Sequence, residues 1–178
     1  LPKGLEIVDM MSTKDFLDAS IKNVIKTLFE AILLVVLVVF VFLQSLRSTI
    51  IPTISIIVSL VGTFAFLFVA GFSLNMITLF ALVLVIGTVV DDSIVVVEAV
   101  QAKFDEGYKS PYKATVDAMG GISTALLATT FVFMAVFIPV SFMGGTTGTF
   151  YTQFGLTMAV AVGISLVNSL TLSPALCS

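Results

Sequence analysis

The sequence of 178 residues contains no histidine, no tryptophan and a single cysteine, and only 11% of its residues are charged. Without histidine the chain lacks the commonest metal ligand and the usual proton-transfer base near neutral pH. One cysteine, Cys177, excludes both an internal disulfide and a cysteine-based metal cluster. No part of the sequence is basic enough for nucleic-acid binding, which requires a basic surface. We therefore expect no cofactor, no metal centre and no nucleic-acid partner.

Charged residues are missing altogether from two long stretches, 48–90 and 118–178. Hydrophobic residues make up 58% of the chain, whereas soluble domains contain roughly 45–50% of them. A membrane-spanning helix needs about 20 consecutive apolar residues, so each uncharged stretch has room for about two. Several such stretches also exclude the interpretation of any one of them as a signal peptide. The sequence predicts an all-α, polytopic membrane helix bundle with about five transmembrane helices embedded in a lipid bilayer.

Turn signals and charges divide the chain into a short leading segment and a membrane domain. Residues 1–13 are expected to be the end of a water-soluble strand and a linker, and residues 14–178 the transmembrane domain. A helix from residue 14 to 46 would be roughly 50 Å long, which exceeds the thickness of a bilayer core. The first helix is therefore expected to carry an amphipathic extension that lies outside the membrane. The predicted spans are about 29–46, 51–71, 76–98, 118–142 and 150–172, with a charged loop at 102–117.

Three prolines add local expectations. Pro52 is expected in the first turn of the second span, where its missing N–H costs nothing. Ser110 and Pro111 are expected to start a short helix inside the charged loop, and Pro174 to close the fifth span.

Lysine and arginine are unevenly distributed between the two sides of the predicted bundle. The Arg47 turn and the 102–117 loop lie on one side, whereas the turns at Gly71 and Gly144 lie on the other and contain no lysine or arginine. Cytoplasmic loops carry an excess of these residues. The loop at 102–117 is therefore predicted to be cytoplasmic.

Asp91 and Asp92 are the candidate functional residues, since strongly apolar residues flank them on both sides. One aspartate near the centre of a spanning helix costs about 2.5–3.5 kcal/mol, so two together need partners or water inside the bundle. Neighbouring helical residues point about 100° apart and cannot share one partner equally. Desolvation and mutual repulsion favour protonation of such a pair, which suits a proton relay. A cation site and an interfacial pair that reaches water are the alternatives.

Other polar groups in the spans have ordinary structural interpretations. Glu98 lies seven residues after Asp91, on nearly the same helical face, and is interpreted as an interfacial charge. Gly87 and Ser93 are interpreted as packing residues that let a neighbouring helix approach closely. The remaining ones are expected to bond a carbonyl or to bridge helices: Thr63, Thr78, Thr88, Ser165, Asn168 and Ser169.

The segment from Val90 to Glu98, VDDSIVVVE, resembles the fourth-helix signature of resistance–nodulation–division (RND) exporters of the hydrophobe/amphiphile multidrug efflux branch. Nearly the whole chain agrees with that family in order and spacing, as helices two to six of the first six-helix half. The further matching stretches are FLQSLR at 42–47, IPT at 51–53, FMGG at 142–145 with QF at 153–154, and LSPAL at 172–176.

The resemblance implies a proton/substrate antiporter, a homotrimer in the bacterial inner membrane that works with a periplasmic adaptor and an outer-membrane channel. Asp91 and Asp92 fall on the family's two proton-relay aspartates, whose usual lysine partner belongs to the second half of the protein, outside this chain. Residues 1–13 would then end a strand of the periplasmic porter domain. Ala99 and Thr152 depart from the family pattern, which often has asparagine and a basic residue there.

The resemblance also bears on the cargo. Heavy-metal exporters of the superfamily typically keep one aspartate where this chain has two, so the pair favours drugs or other hydrophobic and amphiphilic compounds. Export of metal ions or lipids on the same scaffold is the alternative. A non-transporting membrane scaffold or translocation subunit is a further alternative. An enzyme is not expected, because no nucleophile–base set is visible and intramembrane proteolysis would need aspartates on separate helices.

Overall fold

The computed structural model describes residues 13–145 and 147–178, with side chains from residue 18 onward. This part of the chain contains six helices and no strand, which confirms the all-α prediction. The strand predicted within residues 1–13 lies outside the described residues. The helices are α1 (Thr13–Leu43), α2 (Leu46–Val69), α3 (Met76–Asp105), α4 (Pro111–Val140), α5 (Gly148–Leu170) and α6 (Leu172–Cys177).

Five segments of the described chain are long and apolar enough to cross a membrane, as the sequence predicted. The last of them contains both α5 and α6. The five are Asp18–Leu43, Leu46–Val69, Met76–Asp105, Pro111–Val140 and Gly148–Cys177.

The turn between α1 and α2 is set by two residues. Gln44 has a positive φ of 47°, and the Ser45 side chain then accepts a hydrogen bond from the Ser48 N–H, which caps α2. Because this cap starts the helix at Leu46, Pro52 lies in the second turn of α2. The expected position in the first turn was therefore wrong.

A capping box starts α3. The Asn75 side chain accepts hydrogen bonds from the N–H groups of Ile77 and Thr78, and the Thr78 hydroxyl accepts one from the Asn75 N–H. The same Asn75 donates through Nδ2 to Gln153 Oε1 at 2.6 Å. One side chain therefore both starts α3 and ties it to α5.

The charged loop is shorter than predicted. Since α3 continues to Asp105 and α4 begins at Pro111, most of the predicted 102–117 loop is helical, and only 106–110 joins the two helices. The separate short helix expected at Ser110 and Pro111 was a wrong prediction, because Pro111 is the first residue of the long α4. Proline at that position removes only an N–H that a helix start leaves unpaired.

Ion pairs hold the ends of α3 and α4 together across this connection. Lys103 Nζ lies 2.9 Å from Glu106 Oε2 and 3.0 Å from Asp117 Oδ2. Tyr108 donates a hydrogen bond to the same Asp117 carboxylate at 3.1 Å, and this bond raises the pKa of Tyr108. These contacts fix the α3–α4 hairpin.

The last span is interrupted earlier than the sequence suggested. Pro174 was expected to close it, but α5 ends at Leu170, Thr171 breaks the helix, and Pro174 lies inside α6. Proline has no N–H, and its ring clashes with the carbonyl of the residue four positions before, here Leu170. The helix therefore breaks before the proline rather than at it.

The centre of the bundle is formed by α3 and α5. In the 18-residue apolar stretch of each segment, 50% of the residues are buried in α3 and in the α5–α6 segment. The buried share is only 6% in α1 and 11% in α4. The main core cluster joins apolar side chains of α1, α2, α3 and α5, among them Val39, Ile56, Leu60, Leu82, Val85, Ile86, Val89, Met158 and Ala161. Among the described helices α1 packs on α2 and α3 alone, at the edge of the bundle.

The two ends of the bundle are named here by one residue each. The Arg47 end holds the Arg47 turn, the adjoining ends of α3 and α4 at Phe104 and Pro111, and Cys177, which line one cavity. The Asn75 end holds the connection between α2 and α3 and the first turns of α5, which the hydrogen bond from Asn75 to Gln153 joins. Thr152 also bonds the Ser141 carbonyl there, at 2.9 Å.

Gly155 marks the closest approach of α5 to α4. A Cβ added to this buried glycine would lie 2.5 Å from Ser141 Oγ and 2.8 Å from the Phe137 carbonyl oxygen. The second of these atoms belongs to the backbone and cannot rotate away. The α4–α5 contact therefore requires glycine at this position.

We predict that Gly155→Ala destabilises the full-length protein by about 1–3 kcal/mol, the usual cost of overpacking a close contact. The thermal midpoint of the detergent-purified protein and its level in the membrane should both fall. Gly121→Ala is the matched control, because a Cβ at Gly121 on α4 meets no atom within 4 Å. An unchanged midpoint for Gly155→Ala would show that α4 and α5 do not pack this closely.

Candidate functional site

The acid pair lies in the middle of α3, in the most buried part of the bundle. Val89 and Val90 before it and Ser93 after it are buried. Asp92 is half-buried, whereas Asp91 is exposed on the surface of the described chain. The two carboxyls therefore face different surroundings, as the 100° separation of neighbouring helical residues requires.

Asp92 points toward α5. The Ser165 hydroxyl donates a hydrogen bond to Asp92 Oδ2 at 2.7 Å. A hydrogen bond to an ionised acceptor is stronger than one between neutral groups. This contact joins the two central helices at the level of the acid pair and supplies one of the polar partners that a carboxyl in an apolar span needs.

Asp91 lines two cavities, one on each flank of α3. A groove of about 400 Å³ separates α3 from α1, and apart from the two carboxyls, Asp91 and Glu98, its walls are apolar. A smaller cleft of about 260 Å³ separates α3 from α4 and holds both aspartates together with Thr88 and Thr129. Among the described residues neither aspartate forms an ion pair; the pairs found there are Lys26–Glu30, Lys103–Glu106 and Lys103–Asp117.

Glu98 lies on the same groove as Asp91, which confirms that the two share a helical face. The packing interpretation of Gly87 was wrong, because a Cβ at Gly87 would meet no atom within 4 Å. This residue lines the open groove beside α1, where no helix of the described chain presses against it. Ser93 is fully buried, as a packing residue should be.

Most of the other polar groups bond as the sequence predicted. Thr63 and Thr88 donate to carbonyls of their own helices, at 2.8 and 3.0 Å. Asn168 on α5 bridges to α2, because its Nδ2 donates to Ser59 Oγ at 2.7 Å and both side chains are buried.

Ser165 was missed as a candidate for the site. It was treated as one of several hydroxyls with a structural task, yet it is the side chain that contacts Asp92. The available signal was the cluster of Ser165, Asn168 and Ser169 at helical spacing in an otherwise apolar span. Such a cluster indicates a polar helix face turned into the bundle.

Comparison with known sequences identifies the family of the chain. The sequence profile of the AcrB/AcrD/AcrF family matches residues 1–178. The chain belongs to the AcrB/AcrD/AcrF family. The resemblance to RND exporters seen in the motifs around Asp91 and Asp92 is thereby confirmed.

Individual members of the family are similar over the whole chain. The multidrug export protein AcrF of Escherichia coli (strain K12) is 47% identical over 99% of the chain, and the multidrug resistance protein MdtF of the same strain is 46% identical over 99%. The toluene efflux pump membrane transporter TtgE of Pseudomonas putida is 45% identical over 100%. The chain spans 17% of the length of each of these relatives.

We predict that the bond between Asn168 and Ser59 stabilises the α2–α5 contact by about 0.6–1.7 kcal/mol, the range of interhelical hydrogen bonds in membranes. A double-mutant cycle of Asn168→Ala and Ser59→Ala in the full-length protein, measured by steric trapping in a bilayer, should give this coupling energy. Asn168→Ala combined with Thr130→Val is the control, since Thr130 has no hydrogen-bond partner among the described atoms. Additive effects in the first cycle would contradict the prediction.

Proposed function

We propose that this chain is the membrane part of a proton-driven RND efflux pump, in which Asp91 and Asp92 relay protons. One observation carries the proposal: two adjacent carboxyls lie in the middle of a long apolar helix, and neither is neutralised by a cation in the described chain. Ionisable groups inside membrane spans are costly and mark proton or substrate pathways. Membership of the AcrB/AcrD/AcrF family supports the same function.

The two carboxyls have different tasks in this mechanism. Asp92 is held in place by Ser165 on α5, so its position is fixed relative to the core. Asp91 faces the groove beside α1 and attracts a cationic side chain from the remaining half of the protein. Protonation of the pair removes this attraction, and the helices shift. Because α1 packs only on α2 and α3 among the described helices, it is the one that transmits the shift to the porter domain.

The cargo is drugs or other hydrophobic and amphiphilic compounds. The names of the relatives support this class, since AcrF is a multidrug export protein and TtgE a toluene efflux pump. Export of metal ions or lipids remains the alternative, to be separated by substrate profiling of the full-length protein. A cation site at the acid pair would need more oxygen ligands. The described residues contain no group of three or more potential metal ligands among His, Cys, Asp and Glu.

The assembly that fits this function is a homotrimer in the bacterial inner membrane, with a periplasmic adaptor and an outer-membrane channel as partners. The Arg47 end faces the cytoplasm, because the Arg47 turn and the connection around Lys103, Lys109 and Lys113 carry the basic residues. The Asn75 end faces the periplasm. Protons therefore enter from the Asn75 end and leave at the Arg47 end.

We predict that Asp91→Asn and Asp92→Asn each abolish substrate efflux by cells that express the full-length protein, because an amide cannot bind and release a proton as a carboxyl does. Trimer assembly and membrane level should stay unchanged. Asp105→Asn is the control, since Asp105 is an exposed carboxyl at the end of the same helix. Normal efflux by both relay variants would refute the proposed function and favour a non-transporting scaffold.

We predict that Ser165→Ala lowers proton-driven transport several-fold, because Asp92 loses its partner on α5, and that Ser165→Thr retains most of it. Dye efflux from proteoliposomes with an imposed pH gradient is the measurement. A purely structural role of Ser165 would lower the thermal midpoint of both variants in step with their transport. Equal transport by Ser165→Ala and the parent protein would mean that the contact with Asp92 has no part in the relay.

A further inference from the structure

A line of small polar side chains follows the α2–α5 interface from the acid pair toward the Arg47 end. At its top, Ser165 bonds Asp92. One turn further, Asn168 bonds Ser59 of α2, and beyond that Ser173 of α6 lies 3.2 Å from Ser55 of α2, Oγ to Oγ. We call this line, with Ser169 between, the hydroxyl seam; its members are Ser55, Ser59, Ser165, Asn168, Ser169 and Ser173.

The spacing of these residues places them along one interface. Ser165 and Ser169 on α5 are four residues apart, as are Ser55 and Ser59 on α2, and Ser173 follows the break at Thr171 in α6. Residues four apart lie on one helical face about 6 Å apart along the axis. Since α2 and α5 run antiparallel, the two rows face each other in matching order, and Asn168 and Ser173 bond across the interface.

The seam ends close to a cavity at the Arg47 end. This cavity of about 570 Å³ is lined by Ile54 and Leu176, which adjoin Ser55 and follow Ser173 by three residues. Its polar lining includes Arg47 and Gln101. The seam therefore runs from Asp92, in the middle of the bundle, to two serines whose neighbours in sequence line this cavity.

One member of the seam has no partner. Ser169 is fully buried at 0% exposure, and its Oγ has no hydrogen-bond partner among the described atoms. Ser93, directly after Asp92, is also fully buried, and its Oγ likewise has no hydrogen-bond partner among the described atoms. Ser169 lies one turn after Ser165 on α5, on the same face as the hydroxyl that bonds Asp92. Buried hydroxyls are nearly always paired, and water is the usual partner where protein atoms are lacking.

We propose that the hydroxyl seam binds a file of water molecules and is the route by which the proton of Asp92 reaches the cavity at the Arg47 end. The proposal rests on the proposed function, since it names the exit path of the relay. The ligand is water, held by Ser169 and by the free lone pairs of the paired serines. The hydroxyl seam thus transfers protons in addition to joining α2 to α5 and α6.

The transfer conserves protons at every step. The O–H bond of protonated Asp92 breaks, and its proton moves to a water or serine oxygen while that group passes one of its own protons to the next oxygen. A proton is released into the cavity, Asp92 is left as a carboxylate, and the hydroxyls turn back to their starting orientation. The Asn168 amide holds Ser59 in place and takes no part in the transfer.

Charged groups near the path are few. On α3 Asp91 adjoins Asp92, and Glu98 lies two turns further along the groove. The residues that α1 and α4 contribute to the two cavities around the pair carry no charge: Leu34, Val35, Val38, Val39, Phe42, Ala125, Leu126, Thr129 and Phe133. From α2, α5 and α6 only uncharged groups lie along the seam, and Arg47 is at its far end.

The decisive experiment removes the unpartnered hydroxyl. In proteoliposomes that contain the full-length protein, transport driven by a pH gradient is compared for the parent, Ser169→Ala and Ser169→Thr. We expect a several-fold loss of rate for Ser169→Ala, recovery with Ser169→Thr, and a thermal midpoint of Ser169→Ala that is equal to or above that of the parent. Removing a hydroxyl that bonds no protein atom does not weaken the fold.

Thr115→Val is the matched control, because the Thr115 hydroxyl is also buried and unpartnered but lies on α4, outside the seam. It should transport like the parent. Asp92→Asn in the same vesicles separates the two proposals. Full transport by Ser169→Ala while Asp92→Asn is inactive overturns the seam alone and leaves a simple helix–helix contact. Full transport by Asp92→Asn overturns the relay and the seam together.

Discussion

The cost of placing carboxyls inside an apolar span is the constraint on which this bundle depends. Each aspartate near the centre of a spanning helix costs about 2.5–3.5 kcal/mol unless polar groups or water surround it. The bundle meets this cost by placing α3 at its centre, where α5 supplies the Ser165 hydroxyl to Asp92. A small residue, Ala161, lies fully buried on α5 in the core that α3 and α5 share.

The two carboxyls differ in their polar contacts within the described chain. Asp92 has a partner within the described chain, whereas Asp91 faces a groove between α3 and the loosely packed α1. An arrangement with one fixed and one free acid suits a switch, because the fixed group holds its place while the free group changes its partner. The same groove explains why Gly87 is open, since no atom of α1 lies within 4 Å of the position of its Cβ.

Local sequence rules succeeded where one helix decides the outcome and failed where two signals compete. The apolar stretches and the existence of five spanning segments follow from local chemistry. Pro174 was misplaced because a proline disrupts the helical turn that precedes it, so the break lies at Thr171. Pro52 was misplaced because the cap that starts α2 lies further upstream, at Ser45. The charged loop was predicted too long because charges at helix ends pair with each other, as Lys103 and Asp117 do.

The sequence by itself determined the membrane class, the approximate spans, the acid pair and the family, because all of these depend on composition and spacing along one chain. Only the tertiary structure decided which helix faces which, and hence that Asp92 meets Ser165 and that Asn168 meets Ser59. The physical reason is that lipid tails are as apolar as the side chains of a helix. Hydrophobicity therefore inserts a helix into the membrane but does not select its neighbour, and small and polar residues make that choice.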